Sequence, residues 1–231
     1  MGIESIRIRV ASALLALTVP ALAFAQANEA VKTDIAVQIT NARKANATLM
    51  QTYSWDSRTE LLEDGTVKDT RVELVNYVNG QMQKSLVSDQ GPSLPRFGVR
   101  KRIAEKKEAD MKQYLGGLKT LLDQYTLPTS GKVLDFINQA KPTGPDANNL
   151  IVMIGANVVM AGDSLSIWTN LATRKTNRIQ VSTTYQGDAV TLTSTFGTLA
   201  SGLNFVSFAQ IDVTAKQMTV QVSNFNFNPN N

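Results

Sequence analysis

The chain is 231 residues long, with 23 Lys and Arg against 19 Asp and Glu, a net charge of +4, 43% hydrophobic residues, and neither histidine nor cysteine. That composition excludes disulfides, thiol nucleophiles and histidine acid–base chemistry, and any zinc site would have to be built from carboxylates alone, which is uncommon. The positive charge is too mild to argue for nucleic acid.

Arg7 and Arg9 precede an apolar run, Val10 to Phe24, which ends in Ala23-Phe24-Ala25. A short basic start, an apolar stretch and small residues around a cleavage point are the layout of a secretory signal peptide. The sequence therefore predicts export to the periplasm, cleavage after Ala25, and a single mature domain over residues 26–231. A retained anchor is the alternative, but the run is shorter than the roughly 20 residues a spanning helix needs. Without disulfides, the mature domain must be held by apolar burial, which a chain of this size can supply.

Residues 30–50 read as a helix, with Ile35, Ile39, Ala42 and Leu49 at helical spacing. Two long strands follow around Asp64-Gly65, a pair suited to the positive φ angles of a tight hairpin turn. A two-residue turn there pairs Glu63 with Thr66 and puts Trp55 opposite Leu74 and Ser57 opposite Val72. Tyr53, Trp55, Leu61, Val72 and Leu74 then share an apolar face, while Asp56, Arg58, Glu60, Asp69, Arg71 and Glu73 share a wet one. Asn79-Gly80 turns the chain into a third strand, residues 81–88. Residues 89–98 read as a loop. A helix over residues 102–125 carries the stripe Met111, Tyr114, Leu115, Leu118, Leu122 and Tyr125, and Ser130 is positioned to cap a shorter helix bearing Val133, Leu134 and Ile137. After a loop over residues 141–149, everything from Leu150 to Phe227 alternates as strands. One hairpin around Gly187-Asp188 pairs Tyr185 with Val190 and Thr183 with Leu192. Another around Ala215-Lys216 pairs Val213, Ile211 and Ala209 with Met218, Val220 and Val222. The predicted fold class is α+β: one large antiparallel sheet with helices packed on its apolar face.

No G-x-S-x-G elbow or phosphate-binding glycine loop occurs. Asp64, Asp163 and Asp188 lie beside glycines, where aspartate is expected for backbone reasons. No set of residues converges on a reaction, so the sequence argues against an enzyme and calls for no cofactor or metal. One charged feature stands out: Arg96, Arg100, Lys101, Arg102, Lys106 and Lys107 crowd the start of the long helix, partly offset by Glu105, Glu108 and Asp110. Such a cluster suits an anionic membrane surface or an acidic envelope protein; the plainer alternative is a solvated helix face.

The stretches G-D-S-L-S-I-W-T-N-L-A-T-R-K-T-N-R-I-Q-V, D-A-V-T-L-T-S-T-F and the closing hairpin to N-F-N-F resemble the second half of the sheet in periplasmic lipoprotein carriers. Y-S-W-D-S-R-T-E and K-R-I-A-E-K-K-E-A-D-M-K-Q-Y-L are similar to an uncharacterised group of exported bacterial proteins beside that family. None of the carriers' functional residues can be matched by position. The resemblance implies a curved half-barrel whose apolar hollow is lidded by helices and takes a lipid or acyl chain. Its implied lining is Tyr53, Trp55, Leu74, Ile179, Val181 and Leu192 from the sheet, with Met111, Leu115 and Leu118 from the helix. The rival reading is an envelope interaction protein with a solid core that docks through the basic helix. An outer-membrane barrel is excluded, because its lipid-facing sides would carry Thr, Ser and charged residues.

Overall fold

The computed structural model describes residues 29–91, 99–170 and 172–230. The signal-peptide expectation, with cleavage after Ala25, lies outside the described residues, as does Arg96. The side chains of residues 99–105 lie outside the description as well, Arg100, Lys101 and Arg102 among them.

Helix α1 (Glu29–Met50) leads into three strands, β1 (Tyr53–Glu63), β2 (Thr66–Val78) and β3 (Gln81–Asp89). Helices α2 (Val99–Asp123) and α3 (Ser130–Gln139) follow. Seven strands complete the described chain: β4 (Lys141–Thr143), β5 (Leu150–Ala156), β6 (Ser164–Asn170), β7 (Lys175–Tyr185), β8 (Asp188–Thr198), β9 (Asn204–Val213) and β10 (Met218–Pro229). All ten form one open, curved antiparallel sheet in the order β3-β2-β1-β10-β9-β8-β7-β6-β5-β4. The fold is the expected α+β half-barrel. One strand exceeds expectation: Lys141–Thr143, read from sequence as loop, adds β4 to the edge of β5.

The topology explains why helices cover this sheet. Consecutive strands pair with each other except β3 and β4, and one seam, β1 with β10, joins strands distant in sequence. The two outer edges, β3 and β4, are consecutive in sequence apart from α2 and α3. The helical segment must therefore carry the chain from one edge to the other, and the apolar inner face gives it a surface to pack on.

The core sits between the helices and strands β5–β10. Ile35, Ala36 and Ile39 of α1, Tyr114, Leu115, Leu118 and Leu122 of α2, and Val133, Phe136 and Ile137 of α3 join one buried cluster with the inner residues of the sheet. Those strands alternate buried and half-buried positions in step with the pleat, as in Ser164–Asn170. Thr129, not Ser130, is the N-cap of α3; its side chain accepts the Lys132 N–H at 3.3 Å.

Three hairpins show how much a register slip matters. The β9–β10 pairing matches expectation, with Val213 opposite Met218 and Ile211 opposite Val220. At β7–β8 the turn is Gln186-Gly187, so Thr183 faces Val190 and Val181 faces Leu192. That is a slip of two positions from the expected pairing, and a slip of two keeps every side chain on its face. In β1–β2 the turn at Asp64-Gly65 and the Glu63–Thr66 pair are as expected, but the register breaks between Leu61 and Leu62. Lys68 is the extra residue of a bulge. Beyond it Trp55 faces Val75, Ser57 faces Glu73, Thr59 faces Arg71 and Leu61 faces Asp69. This slip of one position reverses the sidedness of β2. Leu74 stands on the outer face, 40% exposed, and Val72 joins it there. Asp69, Arg71 and Glu73, expected on the wet side, share the inner face with Tyr53 and Trp55.

Candidate functional site

The residues expected to line a hollow fall into three groups. Leu115, Leu118, Ile179, Val181 and Leu192 are all buried in the large core cluster, with Met111 half-buried at its margin. Tyr53 and Trp55 belong to a second, smaller cluster with Met50, Val75 and Leu203. Leu74 leaves the lining altogether, because the Lys68 bulge turns it outward.

Polar links fasten the helices over the large cluster. Tyr114 donates from Oη to Asp188 Oδ2 at 2.9 Å. Lys216 approaches the same carboxylate at 3.3 Å and lies 4.5 Å above the Tyr114 ring. Tyr185 packs edge-on to Tyr114, and its hydroxyl presses so close to Gly117 that a Cβ there would lie 1.8 Å away. Burial first, then the bond to Asp188, raises the Tyr114 pKa, so this hydroxyl stays a donor. Asp163, 3% exposed, is a second fastening. It accepts the N–H groups of Val158, Val159 and Met160 at 2.6–2.9 Å and the Tyr125 hydroxyl at 2.7 Å. Burial alone would raise its pKa, but these donors, the Met160 N–H foremost, outweigh burial and hold it below the usual carboxylate value. Tyr125 Oη also lies 2.8 Å from Thr183 Oγ1, joining the end of α2 to β7. Arg43 of α1 donates from one Nη to the carbonyls of Thr126 and Leu127 at 3.0 and 2.8 Å; burial lowers its pKa to about 10. Asp163 and Asp188, which read as turn residues in sequence, are thus the acceptors that seat the helices.

The other end of the sheet is built differently. Trp55 stacks on Phe227 at 5.5 Å, Phe227 meets Phe205 at 4.1 Å, and Tyr77 tilts against Trp55 at 6.2 Å. Trp55 is buried, whereas Tyr77, Met82, Phe205 and Phe227 are half-buried. Along the same face lie Lys84, opposite Val75, and Leu86, opposite Glu73 and 54% exposed. Glu73 joins two cations: Arg71 Nε stands 3.2 Å from Oε1, as an ion pair without hydrogen-bond geometry, and Lys84 Nζ lies 2.9 Å from Oε2. Asp69 ends the row. Its Oδ1 is buried without a hydrogen-bond partner among the described residues. Burial first, and the Asp89 charge second, raise its pKa against the opposing pull of Arg71 and the Thr70 N–H. The inner face of β1–β3 therefore sets an aromatic, thioether-containing patch beside five ionisable side chains: Asp69, Arg71, Glu73, Lys84 and Asp89. Among the described residues no group of three or more His, Cys, Asp or Glu is placed to hold a metal ion.

The basic cluster occupies the first half of α2. Lys106 and Lys107 are exposed, and so are Ala109, Asp110, Lys112 and Gln113 around them, while Met111 is half-buried. The same stripe that is buried from Tyr114 onward is thus uncovered at Lys107.

No family model matches the chain, and no curated protein matches it in sequence. Among solved structures it is similar to a DUF1329 family protein from Desulfovibrio piger ATCC 29098, at 10% identity and a TM-score of 0.37 over 86% of this chain and 92% of that one. It is also similar to a LolA superfamily protein from Nitrosomonas europaea, at 8% identity and a TM-score of 0.30 over 79% of this chain and 88% of that one.

Proposed function

We propose that the protein is a non-enzymatic, periplasmic carrier or sensor of an amphipathic ligand, a lipid or acyl chain, and that it takes this ligand on the inner face of β1–β3. The large cluster under the helices has the burial of an ordinary core, and its residues give the fold its stability. The observation that supports the reading is the mixed surface at the other end. Half-buried aromatic and thioether groups there adjoin ionisable groups on a face that is mostly apolar under the helices. Half-burying Asp69, Arg71, Glu73 and Lys84 costs desolvation and adds nothing to folding that apolar residues would not supply better. Local breaks in patterning of this kind are where binding surfaces are found. An acyl chain would lie along Tyr77, Met82 and Leu86, and its polar end would meet Arg71 and Lys84.

The test is uptake of a fluorescent fatty acid by the purified protein, with native mass spectrometry of protein isolated from its own envelope. Saturable uptake is expected, lost in Met82→Asp and Leu86→Asp, both of which should still fold. Absence of uptake, together with no co-purifying lipid, would sink the carrier reading and leave a solid protein that docks partners through its basic helix.

A further inference from the structure

The Asp163 fastening is held by the loop between β5 and β6, and one residue of that loop touches it twice. Met160 gives its N–H to Asp163 Oδ2 at 2.7 Å, and its Sδ lies 3.2 Å from Thr183 Oγ1. Thr183 is buried, and its hydroxyl lies 2.8 Å from Tyr125 Oη. Met160 itself is 38% exposed, at a loop tip where Ala161 and Gly162 are exposed too. Among the described methionines, Met50, Met153 and Met218 are buried, and Met82 and Met111 are half-buried. Met160 therefore offers its thioether to solvent most openly, while the same sulfur reaches a buried polar chain.

The protons available decide what that sulfur does. Tyr125 has one hydroxyl proton, and the Asp163 carboxylate, 2.7 Å away, is the stronger acceptor for it. Burial foremost raises the Tyr125 pKa, so the phenol keeps that proton. The short contact between Tyr125 Oη and Thr183 Oγ1 is then left to the Thr183 proton. Met160 Sδ competes for it, but a thioether is a weak acceptor, so the Thr183 hydroxyl serves the tyrosine. Hydrogen bonds thus run from Thr183 to Tyr125 to Asp163, with Met160 as an idle second acceptor at their head.

We propose that Met160 is an oxidation site whose sulfoxide releases the end of α2 from the sheet. The oxidant is a peroxide. With hydrogen peroxide, the sulfur lone pair attacks one oxygen, and an S–O bond forms as the O–O bond breaks. The displaced hydroxide takes the proton of the transferred OH and leaves as water; sulfur loses two electrons and the peroxide gains them. The sulfoxide oxygen is a better acceptor than the thioether, so it draws the Thr183 proton away from Tyr125. It also sets a larger, polar group against a threonine that is only 7% exposed. Met160 holds Thr183 and Asp163 at once, so a side chain that shifts to fit the new oxygen pulls on the N–H that Asp163 accepts. Val158 and Val159, which pack against the large cluster, loosen with it. The site lies at the helix-covered end and does not depend on any ligand at β1–β3.

The test treats the purified protein with dilute hydrogen peroxide over time. Peptide mass mapping should show Met160 gaining one oxygen several-fold faster than Met50, Met82, Met111, Met153 and Met218. Hydrogen exchange in the singly oxidised protein should then rise several-fold at the amides of Val158, Val159 and Met160 and around Tyr125, with β1–β3 unchanged. A methionine sulfoxide reductase should reverse both effects. Met160→Leu, which keeps a side chain of similar size without sulfur, should show no rise in exchange under the same treatment. Thr183→Val should leave Met160 open to oxidation but blunt the loosening that follows. Oxidation of Met160 no faster than that of the buried methionines would overturn the site. Unchanged exchange after its oxidation, or loosening of equal size in Thr183→Val, would overturn the release.

Discussion

The helix-covered end of the sheet and the β1–β3 end are made from the same strand pattern, yet they solve different problems. Under α1, α2 and α3, inner residues such as Leu118, Val133, Leu165 and Val181 are essentially inaccessible, and Asp163, Tyr125 and Thr183 among them are hydrogen-bonded, whereas Ser194 Oγ has no partner among the described residues. On β2 and β3 few residues are buried on either face, and the inner row is mostly charged. Burial on one face is enough to stabilise a sheet, so one half can hold the fold while the other stays available. Substitutions should therefore separate the two ends by their effect on stability.

The largest loss should come from Asp163→Ala. It strands three backbone N–H groups and leaves the Tyr125 hydroxyl only Thr183, at about 1–3 kcal/mol for each buried group left unpaired, so a cost on the order of 4 kcal/mol is expected in denaturant titration. The pH dependence has a defined sign. The Asp163 pKa is depressed in the folded protein, so its contribution is full above the ordinary value of 3.8 and is lost as pH falls below that toward the folded value. Asp163→Asn should remove that acid-side dependence. Next, Leu118→Ala should cost about 2–5 kcal/mol, as a cavity in packed surroundings does. A loss under 1 kcal/mol would mean that the helix-covered cluster is loosely filled, and the hollow would belong there instead. Gly65→Val meets no neighbouring atom, so its cost is the strain of φ +70° alone, on the order of 1 kcal/mol in melting experiments. Leu86→Ala at the open end should change stability by about 0.5 kcal/mol or less while lowering fatty-acid uptake. The smallest effect has the opposite sign. The Asp69 pKa is raised by folding, so its ionisation penalises the folded state increasingly as pH rises from 3.8 through the folded value. Asp69→Asn should raise the melting midpoint slightly at neutral pH and leave it unchanged in acid.

The comparison also shows which parts of the molecule were legible in sequence. The β9–β10 hairpin was, because Ala209, Ile211 and Val213 leave one apolar parity and no rival. The β7–β8 turn was misplaced without consequence, since both registers keep Val181 and Leu192 inside. In β2, by contrast, Val72 and Leu74 hold one parity while Val75 and Tyr77 hold the other. The Lys68 bulge lies before all four, so the apolar pattern alone left both parities open, and the expected pairing followed the wrong one. With the parity reversed, the charged row was assigned to solvent and the most distinctive surface of the protein was missed. The helix seats were not legible at all. Tyr125 and Asp163 are 38 residues apart in the chain, and Tyr114 and Asp188 are 74 apart. Nothing local in the sequence marks either pair.

The seam between β1 and β10 has a consequence in time. Ser54 and Asn228, at one end of it, are 174 positions apart, and every strand on one side of the seam is synthesised before the strands on the other. Until Met218–Pro229 has emerged, β1–β3 and β4–β9 are two fragments, each with an open flank that only β10 can join. Contacts this distant form slowly, so a growing chain would remain unassembled until its closing strand arrived. Removal of that strand should leave β1–β3 tied to the other strands only through the helices and contacts such as those of Asn46 with Asn204.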